Sequence, residues 1–338
     1  MSRPHVCVVL KRSSWRKWVE EEHDSRIAAL LEAGDETVRR MRPGHDDHTE
    51  TVTEVERALA ELGVDASWHD RPHAFCVEPG CDLVVTVGGD GTLLAASHGI
   101  PPGVPLLGVN SAPKHSVGFF CAAKKGHVRA AIASALEGTL RGVELTRMRV
   151  ELNGKCLHDR VLNEALFSHY CPAATSRYIL RLVAERGRVL AEEEQKSSGL
   201  WVGPAAGSTA AQRSAGARIL PLSSRRLQFV VREAYQPKMD TLRMTLGLIE
   251  EGNALLIKSE MREARVFIDG DHIMHAVTIG DAVTMRHSRE SLVVLGLTRN
   301  GEPPSTEIPP KKKPSVIPPG GPRRAKRFSH WLDRGRVA

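Results

Sequence analysis

The chain has 338 residues, 41% of them hydrophobic and 26% charged, with a formal net charge of +7. That length suits two domains rather than one small core, and no apolar run approaches the roughly 18–20 residues of a membrane helix. The charge argues against a nucleic-acid partner: residues 302–338 hold nine Lys or Arg against three Asp or Glu, so the rest of the chain is nearly neutral.

His5–Leu10 reads as a first β-strand. Its apolar part ends at once in Lys11 and Arg12, too short a run for a signal peptide. Thr49–Leu62 is expected to be a helix, because Val52, Val55, Leu59 and Leu62 follow at spacings of 3, 4 and 3 and a threonine stands ready to cap it. The preceding His45-Asp46-Asp47-His48 is taken as a solvated first turn, since adjacent side chains of this kind seldom converge on one metal ion. Leu83–Val87 is an unbroken apolar run, as in a central strand buried on both faces. Pro105–Val109 supplies another strand and His127–Gly138 a helix. The six cysteines are scattered without a CxxC pair, which points to reduced thiols and a cytoplasmic location.

From about Val143 the texture changes. Strand-like runs occur at Arg147–Leu152, Tyr178–Ala184, Leu227–Val231, Ala254–Ser259, Arg265–Ile268 and Ala282–Met285, with Asp269-Gly270 as a hairpin turn pair between two of them. That hairpin chemistry accounts for Asp269, Asp271 and His272 without a bound ion. The expected architecture is an α/β domain over residues 1–142, with a Rossmann-like parallel sheet, and an antiparallel β-rich domain over 143–300. Residues 301–338 form a tail with eight prolines, too poor in apolar residues to build a core and expected to be disordered. Its Lys311–Lys313 and Arg323–Arg327 clusters are expected to be solvated.

The most informative stretch is the strand ending in Gly88-Gly89-Asp90-Gly91-Thr92, after which Leu93–Ala96 begins a helix. Glycines at the carboxyl end of a strand let the backbone approach a ligand and aim amide N–H groups at phosphate. An acidic residue in such a loop repels bare phosphate. Asp90 therefore suits a general base for an attacking hydroxyl, or a ligand to Mg²⁺ beside the phosphates. No GxxxxGK[ST] occurs in the chain, and Leu94 stands where a dinucleotide fingerprint needs its third glycine.

The strand–GGDGT–helix segment resembles the loop shared by NAD kinases, diacylglycerol and sphingosine kinases, and phosphofructokinase. Two later stretches resemble the NAD kinases in particular. Asn163-Glu164 matches the Asn-Glu pair of that family. Ser198–Gly216 is similar in order and spacing to its glycine- and hydroxyl-rich dinucleotide segment, with Gly207-Ser208-Thr209-Ala210 and Ser214-Ala215-Gly216 matching. Ser111–Phe120, following Gly108-Val109-Asn110, resembles a further family segment. Ser198 stands where the family has Asp, Pro204-Ala205-Ala206 where it has Thr-Pro-Thr, and Ala211 where it has Tyr. The runs at 197–200, 113–116 and Leu227–Glu233 look closer to the divergent, mitochondrial-type branch.

The resemblance implies a kinase that moves the γ-phosphoryl group of ATP to the 2′-hydroxyl of the adenosine ribose of NAD(H), assisted by Mg²⁺ or another divalent metal. It implies phosphate binding by Gly88, Gly89, Gly91 and Thr92, and catalysis by Asp90. Dinucleotide binding falls to Asn163, Glu164, Ser198, Thr209, Ala210 and Ser214. It also implies a homodimer or homotetramer. Two alternatives stay open: a lipid kinase, although that group follows the loop with Asn-Gly where this chain continues Leu93-Leu94-Ala95-Ala96, and a non-catalytic NAD(H) sensor, suggested by Ser198 and Ala211.

Overall fold

A computed structural model describes residues 3–236 and 242–297. The Pro- and Lys-rich tail lies outside the described residues. The expected first strand, β1 (His5–Leu10), occupies the interior of a seven-stranded sheet with β2 (Asp65–His69), β3 (Leu83–Gly88), β4 (Leu106–Asn110), β5 (Cys121–Lys124) and β6 (Gly142–Leu145). β1 pairs in parallel with β2 and β3, and β3 in turn with β4. The seventh strand, Leu292–Leu295, returns from the far end of the chain and inserts between β4 and β6.

β1, β3 and β4 are buried almost throughout because both faces of the sheet are covered. One face carries α2 (Met41–Glu61) and α4 (Val128–Leu136), reached after a short α1 (Ser25–Glu32). Val55, Ala58, Leu59, Val128 and Ile132 from these helices join Val6, Val8, Val85 and Val109 in one core. The other face carries α3 (Asp90–Ser97), whose Leu93 and Ala96 pack with Cys7, Val9, Val84 and Leu106.

α2 begins eight residues before the expected Thr49, so His45–His48 lies inside the helix and not in a solvated turn before it. Pro43 and Gly44 hide that start in the sequence. In the first turn, however, a proline gives up an N–H that has no helical partner anyway.

Two antiparallel six-stranded sheets make up the remainder. The strands read from the sequence are present at Met148–Leu152, Ser176–Val183, Leu227–Arg232, Ala254–Ser259, Ala264–Ile268 and Ala282–His287. One core takes Met148, Val150, Tyr178 and Ile257 from one sheet, and Phe167, Leu200, Phe229 and Val266 from the other. At about 1.5–3 kcal/mol per fully buried large apolar side chain, this shared core is what joins the two sheets. Two of the short connections between them carry motif residues. Asn163-Glu164 lies between strands Lys155–Val161 and Ala165–His169, and Ser198 between Val189–Ser197 and Gly199–Gly203. Both motif positions are therefore corners.

Candidate active site

β3 delivers its chain at the carboxyl edge of the parallel sheet, where open α/β sheets form their ligand crevice. A cavity of about 400 Å³ lies there, lined by Lys11, Gly88, Gly89, Asp90, Gly91, Thr92, Ser111, Ala112, His115 and Ser116. The sequence-derived phosphate residues thus come together around one space.

The glycines differ in what they are for. A Cβ on Gly88 would lie 2.2 Å from the Thr92 hydroxyl oxygen, and one on Gly89 would lie 2.4 Å from Ser116 Oγ. Packing demands the first, where Thr92 Cβ would also lie within 2.7 Å, whereas at the second the Ser116 hydroxyl would have to turn away. A Cβ on Gly91 would meet nothing within 4 Å, so this glycine leaves space beside the cavity. Gly89 is the N-cap of α3, and Asp90 occupies its first turn, where a negative charge is favoured by the helix dipole.

Asp90 is also a structural anchor. Its Oδ2 accepts the amide of Phe119 at 2.9 Å and its Oδ1 the amide of Phe120 at 2.8 Å, which fixes the segment after β4 over the loop. Each carboxylate oxygen accepts more than one hydrogen bond, so acceptor capacity remains for a ligand. The same segment is shaped by Asn110, whose Nδ2 donates to the Ser116 carbonyl at 3.2 Å. Gly118 has φ +64 and leaves no room for a Cβ beside Asn110 Nδ2.

One residue of this cavity wall, and one bonded to the wall from behind, had no role in the sequence reading. Lys11 follows β1 at the same carboxyl edge, and burial lowers its pKa. His48, on α2, is buried and shares a 3.0 Å hydrogen bond through Nδ1 with Ser111 Oγ. Burial, with the charge of Lys11 adding to it, pushes its pKa down to about 4, so it is neutral at physiological pH. Lys11 was signalled by its place directly after a strand. The role of His48 depends on a contact 63 residues away and has no local signal.

The Asn163-Glu164 elbow is held by a residue the sequence reading gave only to hairpin chemistry. The hairpin exists, with Ile268 opposite Ile273. In addition the Asp269 carboxylate, fully buried, accepts the amides of Leu162 at 2.8 Å, Asn163 at 2.7 Å and Glu164 at 2.9 Å. His98 Nε2, at the C-cap of α3, shares a 2.8 Å hydrogen bond with the same carboxylate. The helix that begins with Asp90 therefore ends against the residue that shapes the elbow.

Two guanidinium groups complete that junction. Arg147, fully buried, donates to the carbonyls of Ser97 and Ile100, both at 3.0 Å, and Arg160 donates to that of His98 at 3.0 Å. Cations at a helix C-terminus satisfy carbonyls that lack helical partners and complement the dipole.

The elbow itself is short of hydrogen-bond donors. Asn163 Oδ1, Glu164 Oε2 and Gln212 Oε1 are buried without a protein partner among the described residues. Gln212 donates through Nε2 to the Asn163 carbonyl at 3.3 Å. Gly207 permits the close approach, since a Cβ there would lie 1.8 Å from that carbonyl oxygen. Burial, reinforced by the Asp269 charge, raises the Glu164 carboxyl to about 8. Buried oxygens left open in this way are unusual and suit a ligand rich in donors.

The remaining sequence-derived residues are spread out. Thr209 and Ala210 are half-buried beside Gly207, whereas Ser214 is exposed on the short turn of helix after them. Ser208 is buried, donating to the Ala205 carbonyl at 2.6 Å and accepting the Leu220 amide at 3.0 Å. Ser198 lies in a separate cavity of about 190 Å³ with Ser168, His169, Tyr170 and Arg232.

A strand–GGDGT–helix loop at the rim of a parallel sheet, joined to a β-rich body, defines a nucleotide-binding fold of the kinase type. The ATP-NAD kinase N-terminal domain family matches residues 4–140. The probable NADH kinase of Oryza sativa subsp. japonica is 35% identical over 263 residues, spanning 73% of this chain and 81% of that protein. The chain belongs to the NAD kinase family.

Two solved structures share the fold. The NAD kinase from Archaeoglobus fulgidus in complex with ATP gives a TM-score of 0.58 at 18% identity, covering 85% of this chain and 92% of that one. Yeast NADH kinase complexed with NADH gives 0.61 at 13% identity, covering 89% and 86%. The family assignment removes the lipid kinase alternative.

Proposed function

We propose that this protein transfers the γ-phosphoryl group of ATP to the 2′-hydroxyl of the adenosine ribose of NAD(H), giving NADP(H) and ADP. The observation that carries the dinucleotide reading is the set of three unpartnered oxygens on Asn163, Glu164 and Gln212. An adenine amino group and ribose hydroxyls offer donors to the Asn163 and Gln212 oxygens, and a ribose hydroxyl can equally accept from the neutral Glu164 carboxyl.

The triphosphate occupies the glycine-lined cavity, its charge offset by Lys11 and by the amides at the start of α3. Asp90 is the only carboxylate lining that cavity, among the described residues. One carboxylate plus substrate phosphates and water is the usual setting for Mg²⁺, so the residues fit a metal carried in with ATP. Bound there, Mg²⁺ supplies charge neutralisation at the β- and γ-phosphates.

The remaining lone pairs of Asp90 orient the 2′-hydroxyl and receive its proton as the new P–O bond forms and the bond to the β-phosphate oxygen breaks. A carboxylate is a weak base near neutrality, so most of the acceleration comes from positioning and electrostatics. Thr209, Ala210 and Ser214 border the dinucleotide, and the division of work follows the 1–142 and 143–300 boundaries.

Of the two redox forms, NADH is the better acceptor. The name of the Oryza relative supports this, as does the Ser198 cavity, which contains Arg232 and no carboxylate to attract a nicotinamide cation. The scattered spacing of the six cysteines, without a CxxC pair, supports a reducing, cytoplasmic location. No helix among the described residues is long and apolar enough to cross a membrane. The family resemblance supports a homo-oligomer, which light scattering on the purified chain measures directly.

The test offers the purified protein ATP and Mg²⁺ with NAD⁺, NADH or diacylglycerol as acceptor. NADP(H) is the expected product, formed faster from NADH. Tight NADH binding with no NADP(H) formed would favour the sensor reading.

A further inference from the structure

At the opposite end of the first sheet, far from the phosphate cavity, a cluster of metal-ligating side chains has no part in phosphoryl transfer. His5 and Cys7 stand two residues apart on β1 and so share one face of the strand. Glu78 lies in the segment that leads into β3. One ligand atom from each of the three lies within 4.8 Å of the other two. We infer that His5, Cys7 and Glu78 bind a Zn²⁺ ion, with Cys81 as the fourth ligand.

The distances fit that ion. With zinc bonds of about 2.0–2.3 Å, a tetrahedral site separates neighbouring ligand atoms by about 3.3–3.8 Å. His5 Nε2 and Glu78 Oε2 are 3.7 Å apart. Glu78 is half-exposed and free to adjust toward the other two. Its second oxygen, Oε1, lies 3.4 Å from His69 Nε2, which is placed to orient the carboxylate once it ligates. The Cys81 thiol donates to the Leu83 carbonyl at 3.2 Å and would turn toward Cys7 on binding the ion.

The chemistry also selects zinc. Sulfur and imidazole ligands disfavour Mg²⁺ and Ca²⁺, which take oxygen, whereas imidazole, thiolate and carboxylate are all ligands that zinc takes, and four of them close a tetrahedral site. Each thiol releases its proton to solvent on binding. Cys7 is fully buried at the floor, and His5 and Glu78, with side chains 26% and 42% exposed, form the way in.

β3 separates the cluster from Gly88 by its own length, roughly 20 Å at about 3.3 Å per residue. The ion therefore fastens β1 to the segment before β3 without touching ATP.

The test uses the full-length chain with any histidine tag removed. It is reduced, incubated with ZnCl₂ and desalted, and its metal content is measured by mass spectrometry. About one Zn²⁺ per chain is expected, reduced at least tenfold in Glu78→Gln and in His5→Asn, with circular dichroism confirming that both variants fold. CoCl₂ in place of zinc should give a thiolate-to-cobalt charge-transfer band that Cys7→Ser diminishes. The inference is overturned if the wild-type chain retains no metal or shows no thiolate band, or if folded Glu78→Gln retains as much zinc as wild type. A Cys7–Cys81 disulfide under the same reducing conditions would overturn it as well.

Discussion

The phosphate loop and the Asn163-Glu164 elbow are built in opposite ways. The loop is local: Gly88 to Thr92 follow one another at the end of a strand, and Gly88, Gly89 and Asp90 are fixed by neighbours within the same α/β layer. The elbow is assembled from afar. Its amides are held by Asp269, its carbonyl by Gln212, and its position relative to the loop by His98 and Arg160. A loop built locally tolerates changes elsewhere in the chain, whereas an elbow built remotely couples its shape to the helix that begins with Asp90.

The largest expected effect tests the loop. Asp90→Asn removes the charge and, with one carbonyl oxygen in place of two, leaves either the Phe119 or the Phe120 amide without its acceptor. The rate with NADH should fall by about 100-fold or more, measured as NADPH formed, while thermal melting reports the separate loss of the amide contact. Turnover near the wild-type rate would remove Asp90 from the chemistry.

Asp269→Asn tests the elbow. Replacing a buried carboxylate that accepts four hydrogen bonds should destabilise the fold by about 3 kcal/mol in urea titrations. It should raise KM for NADH and leave KM for ATP nearly unchanged. Equal effects on both would mean that the two regions are not separable in this way.

Gly91→Ala sharpens the contrast inside the loop itself. The new methyl meets no protein atom within 4 Å, and alanine is a better helix former than glycine. The variant should melt at the same temperature or higher, yet show KM for ATP raised about tenfold, because the methyl narrows the space left for phosphate.

The smallest effect concerns pH. Glu164 has its pKa raised to about 8 by burial, so its neutral form stabilises the fold below the ordinary carboxylate range. That contribution is lost as pH rises through about 8. The melting temperature of the wild type should therefore decline between pH 5 and pH 9 more steeply than that of Glu164→Gln. Parallel curves would show that Glu164 is not the group responsible.

The same contrast explains what the sequence disclosed. The unbroken apolar run before Gly88 placed β3 and its loop, and six of the antiparallel strands were visible in their apolar and alternating runs. The strand Leu292–Leu295 was missed because its membership in the first sheet depends on pairing across more than a hundred residues. Asp269 looked like an ordinary hairpin residue because its four partners are remote in the chain. Pro43-Gly44 masked the true start of α2, and the role of His48 was missed because its partner Ser111 is 63 residues away.

One measurement tests the central claim most directly: NADH and γ-labelled ATP incubated with the wild type and with Asp90→Asn in parallel, with the labelled product located by phosphorus NMR. The wild type should place the label on the adenosine 2′-oxygen of NADPH, and the variant should place about a hundredth as much or less there. Label released only as inorganic phosphate, or equal transfer by both proteins, would contradict the assignment of this cavity and Asp90 to dinucleotide phosphorylation.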